Sequence, residues 1–141
     1  MTSVLDELSV LILTNNEAPN IGRTLDKLRW ARRVVVVDSF SMDSTCDIIR
    51  AHANAEVRQR HFDNHANQWN YGLTQVESEW VLSLDADYQV TDSLVSELKT
   101  LSRRGDRRLL CSLQVLCRGP TLARHALPLA GSSFSPLAMP L

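Results

Sequence analysis

This 141-residue chain lacks glycine-rich phosphate loops, paired cysteines, long apolar runs and any excess of positive charge. Each absence removes a class of function. The first strand-to-helix turn reads Thr14-Asn15-Asn16-Glu17-Ala18-Pro19-Asn20 and carries no G-x-G-x-x-G. A nicotinamide dinucleotide site is disfavoured, because its pyrophosphate needs glycines for close backbone approach. The three cysteines, Cys46, Cys111 and Cys117, are odd in number and form no C-x-x-C. That argues against a zinc site and against a disulfide framework, and makes a reducing cytosol the simplest setting. No apolar run reaches the ~18 residues of a membrane-spanning helix. The opening Met1-Thr2-Ser3-Val4-Leu5-Asp6-Glu7 has neither the basic nor the apolar region of a signal peptide. The formal net charge of −1 offers no basic field for nucleic acid.

One further absence is local. No Asp or Glu occurs after Asp106, so residues 1–106 carry a net −5 and residues 107–141 a net +4. The second stretch also lacks Lys, Asn, Ile, Trp and Tyr, and is rich in Leu, Ser, Arg, Pro and Ala. The chain divides there: residues 1–106 read as one folded domain, and residues 107–141 as an atypical acid-free tail, either disordered or the product of a shifted reading frame. The 44% apolar and 22% charged content of the whole is that of a soluble globular protein with a real core.

What is present alternates strand and helix signals. Leu8 to Leu13 is an apolar run ending at Thr14-Asn15-Asn16. Pro19 suits a helix first turn, and Ile21, Leu25 and Leu28 continue at i, i+4, i+7. Val34 to Val37 is β-branched without alternation, as in a strand covered on both faces. Asp43 or Ser44 caps a helix carrying Ile48 and Ile49. Ala55 to Arg58 is a weaker strand. His65 to Val76 reads as a helix despite Gly72, and Trp80 to Leu84 as the next strand. Thr91 caps a helix carrying Leu94, Leu98 and Leu101, and Leu109 to Leu116 forms a further strand. The order β-α-β-α-β-α-β-α predicts an α/β fold: a Rossmann-like, mostly parallel sheet with helices on both faces.

The strand at Trp80 stops at Asp85-Ala86-Asp87. An unpaired carboxylate is costly inside a core, so both Asp residues belong at the strand's exit, where open α/β sheets bind ligands. Residues i and i+2 share a face, and two hard oxygen ligands there suit Mg²⁺ or Mn²⁺ holding a diphosphate. A polar turn capping the strand explains D-x-D equally well on spacing alone. The other strand ends add Thr14 to Glu17 and Asp38-Ser39-Phe40-Ser41-Met42-Asp43-Ser44-Thr45 to the same edge. The result is an acidic pocket that takes an anionic nucleotide only with a cation between. His61-Phe62-Asp63-Asn64-His65 offers H-x-D-x-H for a transition metal, although a solvated loop is the simpler reading. Arg29, Arg32 and Arg33 suit either a solvated surface or peripheral contact with anionic lipid. Trp69 and Trp80 read as core.

Thr14-Asn15-Asn16-Glu17 resembles the T-x-N-E opening of family 2 glycosyltransferases with the GT-A fold. Val37 to Thr45 is similar to their V-D-S-x-S-x-D-x-T segment, Gln68 to Leu73 to the helix with a central Asn, and Trp80 to Asp87 to their W-V-L-x-L-D-A-D strand. The likeness covers about residues 8–100 and is nearest to bacterial lipopolysaccharide-core type glucosyltransferases. It implies a nucleotide-sugar donor, UDP-linked, a divalent metal (Mn²⁺ or Mg²⁺), a glycan or lipid-linked acceptor, and inversion at the anomeric carbon. It places the protein in the cytoplasm or at the inner face of the membrane. By position, Thr14, Asn16 and Glu17 line the nucleotide pocket, Asp38 hydrogen-bonds the base, Asp85 faces ribose or metal, and Asp87 ligates the metal. The family's acceptor-side carboxylate base lies downstream of D-x-D. Here only Asp92, Glu97 and Asp106 follow Asp87, so the resemblance implies a donor half without its C-terminal half and leaves the catalytic base unassigned. Two alternatives remain: an inactive nucleotide-binding remnant, and a nucleotidyltransferase, which the missing basic glycine-rich loop disfavours.

Overall fold

In a computed structural model, residues 4–100 and 115–117 are described. A short 3-10 turn (Val4–Glu7) leads into β1 (Leu8–Thr14), α1 (Ala18–Asp26), β2 (Val34–Asp38), α2 (Thr45–Arg50), β3 (Ala55–Gln59), α3 (His65–Thr74), β4 (Trp80–Asp85), α4 (Asp92–Thr100) and β5 (Val115–Cys117). The sheet order is β3-β2-β1-β4-β5. The first four strands are parallel, and β5 runs antiparallel to β4, pairing Val81 with Leu116. The mostly parallel sheet agrees with the expected architecture. β5 overlaps the end of the expected Leu109 to Leu116 strand, and the rest of that run lies in residues 101–114, which with residues 118–141 and the composition break at Arg107 fall outside the described residues.

Burial follows the strand alternation. Val10, Ile12, Val34, Val36, Leu82 and Leu84 turn to one face, where Ile21 and Leu25 of α1, Ile49 of α2, and Val95 and Leu98 of α4 cover them. Leu11, Val35, Val37 and Val81 turn to the other, under α3 with Trp69 and Leu73. Both faces are covered, so the central strands need no polar alternation. Gly72 has a packing reason. A Cβ there would lie 2.7 and 2.9 Å from the Leu11 methyl carbons and 3.2 Å from Val37. The glycine therefore allows α3 to sit directly on β1 and β2.

Helix starts follow local chemistry. Pro19 lies in the first turn of α1. Asn64 caps α3 by accepting from Asn67 N at 2.8 Å, and Thr91 Oγ1 accepts from Leu94 N at 3.2 Å. Ser44 takes the N-cap position of α2 without a side-chain bond. Asp43 does the capping chemistry instead, accepting from Thr45 N at 3.0 Å. The register then sets the carboxyl edge of the sheet. Gln59, Asp38 and Thr14 stand side by side on β3, β2 and β1, and Asp85 pairs with Leu13 across β1 and β4.

Candidate functional site

The turns after β1 and β2 are knitted together. Ser39 N donates to Thr14 O at 2.9 Å, and Asn15 Nδ2 donates to Ser39 O at 2.9 Å. Asn16 N donates to Ser41 Oγ, and Met42 N donates to Asn16 Oδ1, each at 2.8 Å. Glu17 N donates to Thr45 Oγ1 at 2.9 Å, and Ala18 N to Asp43 Oδ2 at 3.1 Å. Asn16 and Phe40 occupy the left-handed region, with φ of 53° and 59°.

Asp38 organises this edge from below. It has no exposed surface and accepts from Ser41 N at 2.9 Å, Gln59 Nε2 at 3.1 Å and Cys46 Sγ at 3.2 Å, as well as from Ser41 Oγ. Burial pushes its pKa up, but the bonds from Ser41, Gln59 and Cys46 outweigh it, and the net shift is downward. Burial and the neighbouring Asp38 push the Cys46 thiol up to about 11, so it acts as an inert donor. A carboxylate without accessible surface acts on this edge through the turn it holds, here Ser39 to Ser41. Thr14 is also buried, and its Oγ1 has no hydrogen-bond partner among the described residues. Asn15 and Asn16 are exposed, while half-buried Glu17 accepts from Asn20 Nδ2 at 2.9 Å.

On the far side of β1, Asp85 ends β4 and Ala86 and Asp87 form the turn after it, with Asp85 and Asp87 exposed and Ala86 buried. Thr24 Oγ1 of α1, itself buried, donates to Ala86 O at 2.7 Å and pins the middle of the D-x-D to the core. Tyr88 N closes the turn on Asp85 O at 3.1 Å. Partial desolvation, followed by the charge of Asp87, raises the Asp85 pKa, while His65 acts in the opposite sense. Among the described residues neither carboxylate has an ion-pair partner, and no group of three or more His, Cys, Asp or Glu is placed to hold an ion. Two mutually repelling, solvent-facing carboxylates fit a small hard cation that takes its remaining ligands from phosphate and water.

The H-x-D-x-H segment is used otherwise. Asp63 accepts from Arg60 at 2.8 Å and from Asn67 Nδ2 at 2.7 Å, His61 stacks on Phe40, and His65 stands edge-on to Phe62. Of the basic cluster, Arg29 pairs with Asp26 at 3.0 Å and Arg33 with Glu56, which leaves Arg32 exposed. An open cleft lined by Asp6, Ser9, Arg32 and Glu77 lies at the opposite, amino-terminal edge of the strands, away from this site.

Several side chains that build the edge carry little mark in the sequence. Gln68 is fully buried. It accepts from Arg60 at 2.7 Å and donates to Ser39 Oγ at 3.1 Å, tying α3 to the β2 turn. Its one signal was a polar residue four before Gly72, on the face that packs. Ser41 belongs to the segment already expected at this edge, but its place three residues after Asp38 is one beyond the spacing of an Asx turn, so its bond to the carboxylate carried no mark. Thr24 and Gln59 carried no signal.

The description "Glycosyl transferase family 2" matches residues 9–129. The chain belongs to glycosyl transferase family 2. The match runs past Arg107, into the stretch where the composition changes. An uncharacterized glycosyltransferase of Rickettsia bellii (strain RML369-C) is 31% identical over 113 residues, covering 78% of this chain and 38% of the relative. The lipopolysaccharide core biosynthesis glycosyltransferase LpsC of Rhizobium meliloti (strain 1021) is 26% identical over 103 residues, covering 70% and 38%. Among solved structures, S. aureus TarS 1-349 in complex with UDP-GlcNAc is similar, with a TM-score of 0.58 and 28% identity over 64% of this chain and 29% of that one. The glucosyl-3-phosphoglycerate synthase of Mycobacterium tuberculosis, at 20% identity and a TM-score of 0.51, shares the fold. This family 2 chain spans less than half the length of these relatives. No helix among its described residues is long and apolar enough to cross a membrane.

Proposed function

We propose that this chain forms the donor-binding part of an inverting, metal-dependent glycosyltransferase that moves a sugar from a UDP-linked donor to a glycan or lipid-linked acceptor of the bacterial envelope. The observation that carries the reading is the pair Asp85 and Asp87. Both are exposed at the end of β4, repel each other, and stand beside β1, whose turn is bonded to that of β2. The UDP-GlcNAc complex of S. aureus TarS and the name of the R. meliloti relative support the substrate class.

In this reading Asp85 and Asp87 hold Mn²⁺ or Mg²⁺ against the donor diphosphate, with Asp85 also close to the ribose. The cation, when bound, supplies Lewis-acid stabilisation of the departing nucleoside diphosphate. Thr24 keeps both carboxylates aimed outward by fixing the Ala86 carbonyl between them. Thr14, Asn16 and Glu17 form the wall of the nucleotide pocket, and Asp38 shapes it through Ser41. Residues 8–100 thus bind the donor and stabilise the leaving group.

Calorimetric titration of UDP into the folded chain tests this. Binding that strengthens at least tenfold when Mn²⁺ is added is expected. A folded sample that gives no binding heat with or without Mn²⁺ overturns the reading.

A further inference from the structure

Phe40 is the conspicuous expense of this edge. At φ 59° it occupies a region where glycine is free and a bulky side chain is an outlier. Such strain persists where surrounding structure enforces it, and it gathers at ligand sites. The enforcement is visible: Ser39 is bonded to Thr14 and Asn15 before it, and Ser41 to Asp38 and Asn16 after it. Core burial does not account for the ring, which remains 43% exposed. It stacks instead on His61, just beyond β3, with ring centroids 4.2 Å apart and planes 26° from parallel. Two aromatic rings from neighbouring strand ends thus lie face to face, and the pair offers a flat outer ring face at the polar edge.

The surroundings narrow what fits on that surface. The exposed amide of Asn15, bonded to Ser39 O, adjoins Phe40. Thr14 Oγ1, buried and unpartnered, ends the next strand. Asp85 and Asp87 stand two strands away from β2, at roughly 10 Å by the usual inter-strand spacing. A flat apolar face flanked by hydrogen-bonding groups takes a planar ring with a polar rim. A ribose and phosphate bridge the remaining distance to the carboxylate pair.

We infer that the Phe40–His61 stack is the platform on which the nucleobase of the donor lies, which makes Phe40 a binding residue of this chain. The inference rests on the donor-site reading above. Stacking supplies affinity for any base through its π-face, while the exposed amide of Asn15 faces the polar rim.

The test compares UDP with pyrophosphate, which has no base, by calorimetry on the full chain with Mg²⁺ present. The variants are Phe40→Gly, which relieves the backbone, and Phe40→Leu, which keeps an apolar side chain without a π-face. Both are expected to weaken UDP binding roughly 5- to 100-fold, the range that base–aromatic stacking supplies. Pyrophosphate affinity stays within about twofold, and Phe40→Tyr retains UDP binding. Phe40→Gly melts at the same temperature as the parent or higher. Unchanged UDP affinity in both variants overturns the platform and leaves the donor site standing. Parallel loss of UDP and pyrophosphate affinity also overturns it, by showing that the ring supports only the turn. A parent chain that binds neither probe refutes the donor-site reading, and the platform falls with it.

Discussion

Thr24→Val removes one hydroxyl and almost nothing else. The residue is buried in α1, and its Oγ1 donates at 2.7 Å to the carbonyl of Ala86, a residue itself 5% exposed. Valine matches threonine in shape, so packing is kept and no cavity opens. What changes is the Ala86 carbonyl, left without its donor in a site closed to water. Leaving a buried acceptor unsatisfied costs about 1–3 kcal/mol. For a domain of this size, each kcal/mol lowers the melting temperature by roughly 4 °C. The second consequence is functional, because the freed carbonyl lies between the proposed metal ligands. Loss of a support behind such ligands typically costs about 10- to 100-fold in metal affinity. Urea unfolding and Mn²⁺ titration in the presence of UDP read the two effects, with Thr24→Ser as the control that keeps the hydroxyl. A Thr24→Val protein within about 0.5 kcal/mol of the parent, or one with unchanged Mn²⁺ affinity, refutes the reasoning.

Three other expectations use different parts of the molecule. Gly72→Ala gains about 1 kcal/mol of helix propensity but forces the Leu11 and Val37 side chains to shift, which costs about 1–3 kcal/mol; a net loss in urea unfolding is expected, and a more stable variant contradicts the packing argument. The Asp38 pKa lies below its ordinary 3.8, so its stabilising contribution is complete above about pH 4 and disappears as pH falls through the lower folded value. Asp38→Asn is expected to lose about 1–3 kcal/mol at pH 7 and to show a flatter acid limb of stability against pH; a limb as steep as the parent's contradicts this. Asp87→Asn relieves the repulsion that helps raise Asp85, so without metal it is expected to melt above the parent while losing Mn²⁺-dependent UDP binding; a lower melting temperature indicates that the carboxylate is structural.

Much of the architecture was legible because it depends on pattern. The four consecutive valines of β2 fit only a strand covered on both faces, and that is where they lie. Pro19 and Thr91 mark helix starts by local chemistry, which tertiary contacts do not override. The edge position of Thr14, Asp38 and Asp85 followed from strand order and the cost of a buried charge. Direction was not legible for β5: an apolar run pairs either way, and the connection before it decides, so an antiparallel strand carries no separate mark. The helix signal through Leu28 overran α1, which ends at Asp26, because Leu28 is buried from the following turn as effectively as from another helical turn. The depth of Asp38 was also hidden. Four donor groups offset its burial, and the three residues that supply them, Ser41, Cys46 and Gln59, are ordinary until the fold brings them together. Phe40 gave no warning, because a positive φ at a phenylalanine is imposed by the bonds on either side and not by the residue itself.

The account depends on a cation and a nucleoside diphosphate meeting at Asp85 and Asp87, and paramagnetic broadening by Mn²⁺ locates that point directly. Backbone amide spectra of the ¹⁵N-labelled chain would be recorded with UDP and small additions of Mn²⁺, using Mg²⁺ as the diamagnetic reference. The account predicts that signals of Asp85 to Tyr88 broaden first, followed by those of Thr14 to Glu17, and that broadening at these positions is lost in Asp87→Ala. Broadening centred on His61, Asp63 and His65, or unchanged in Asp87→Ala, would contradict it.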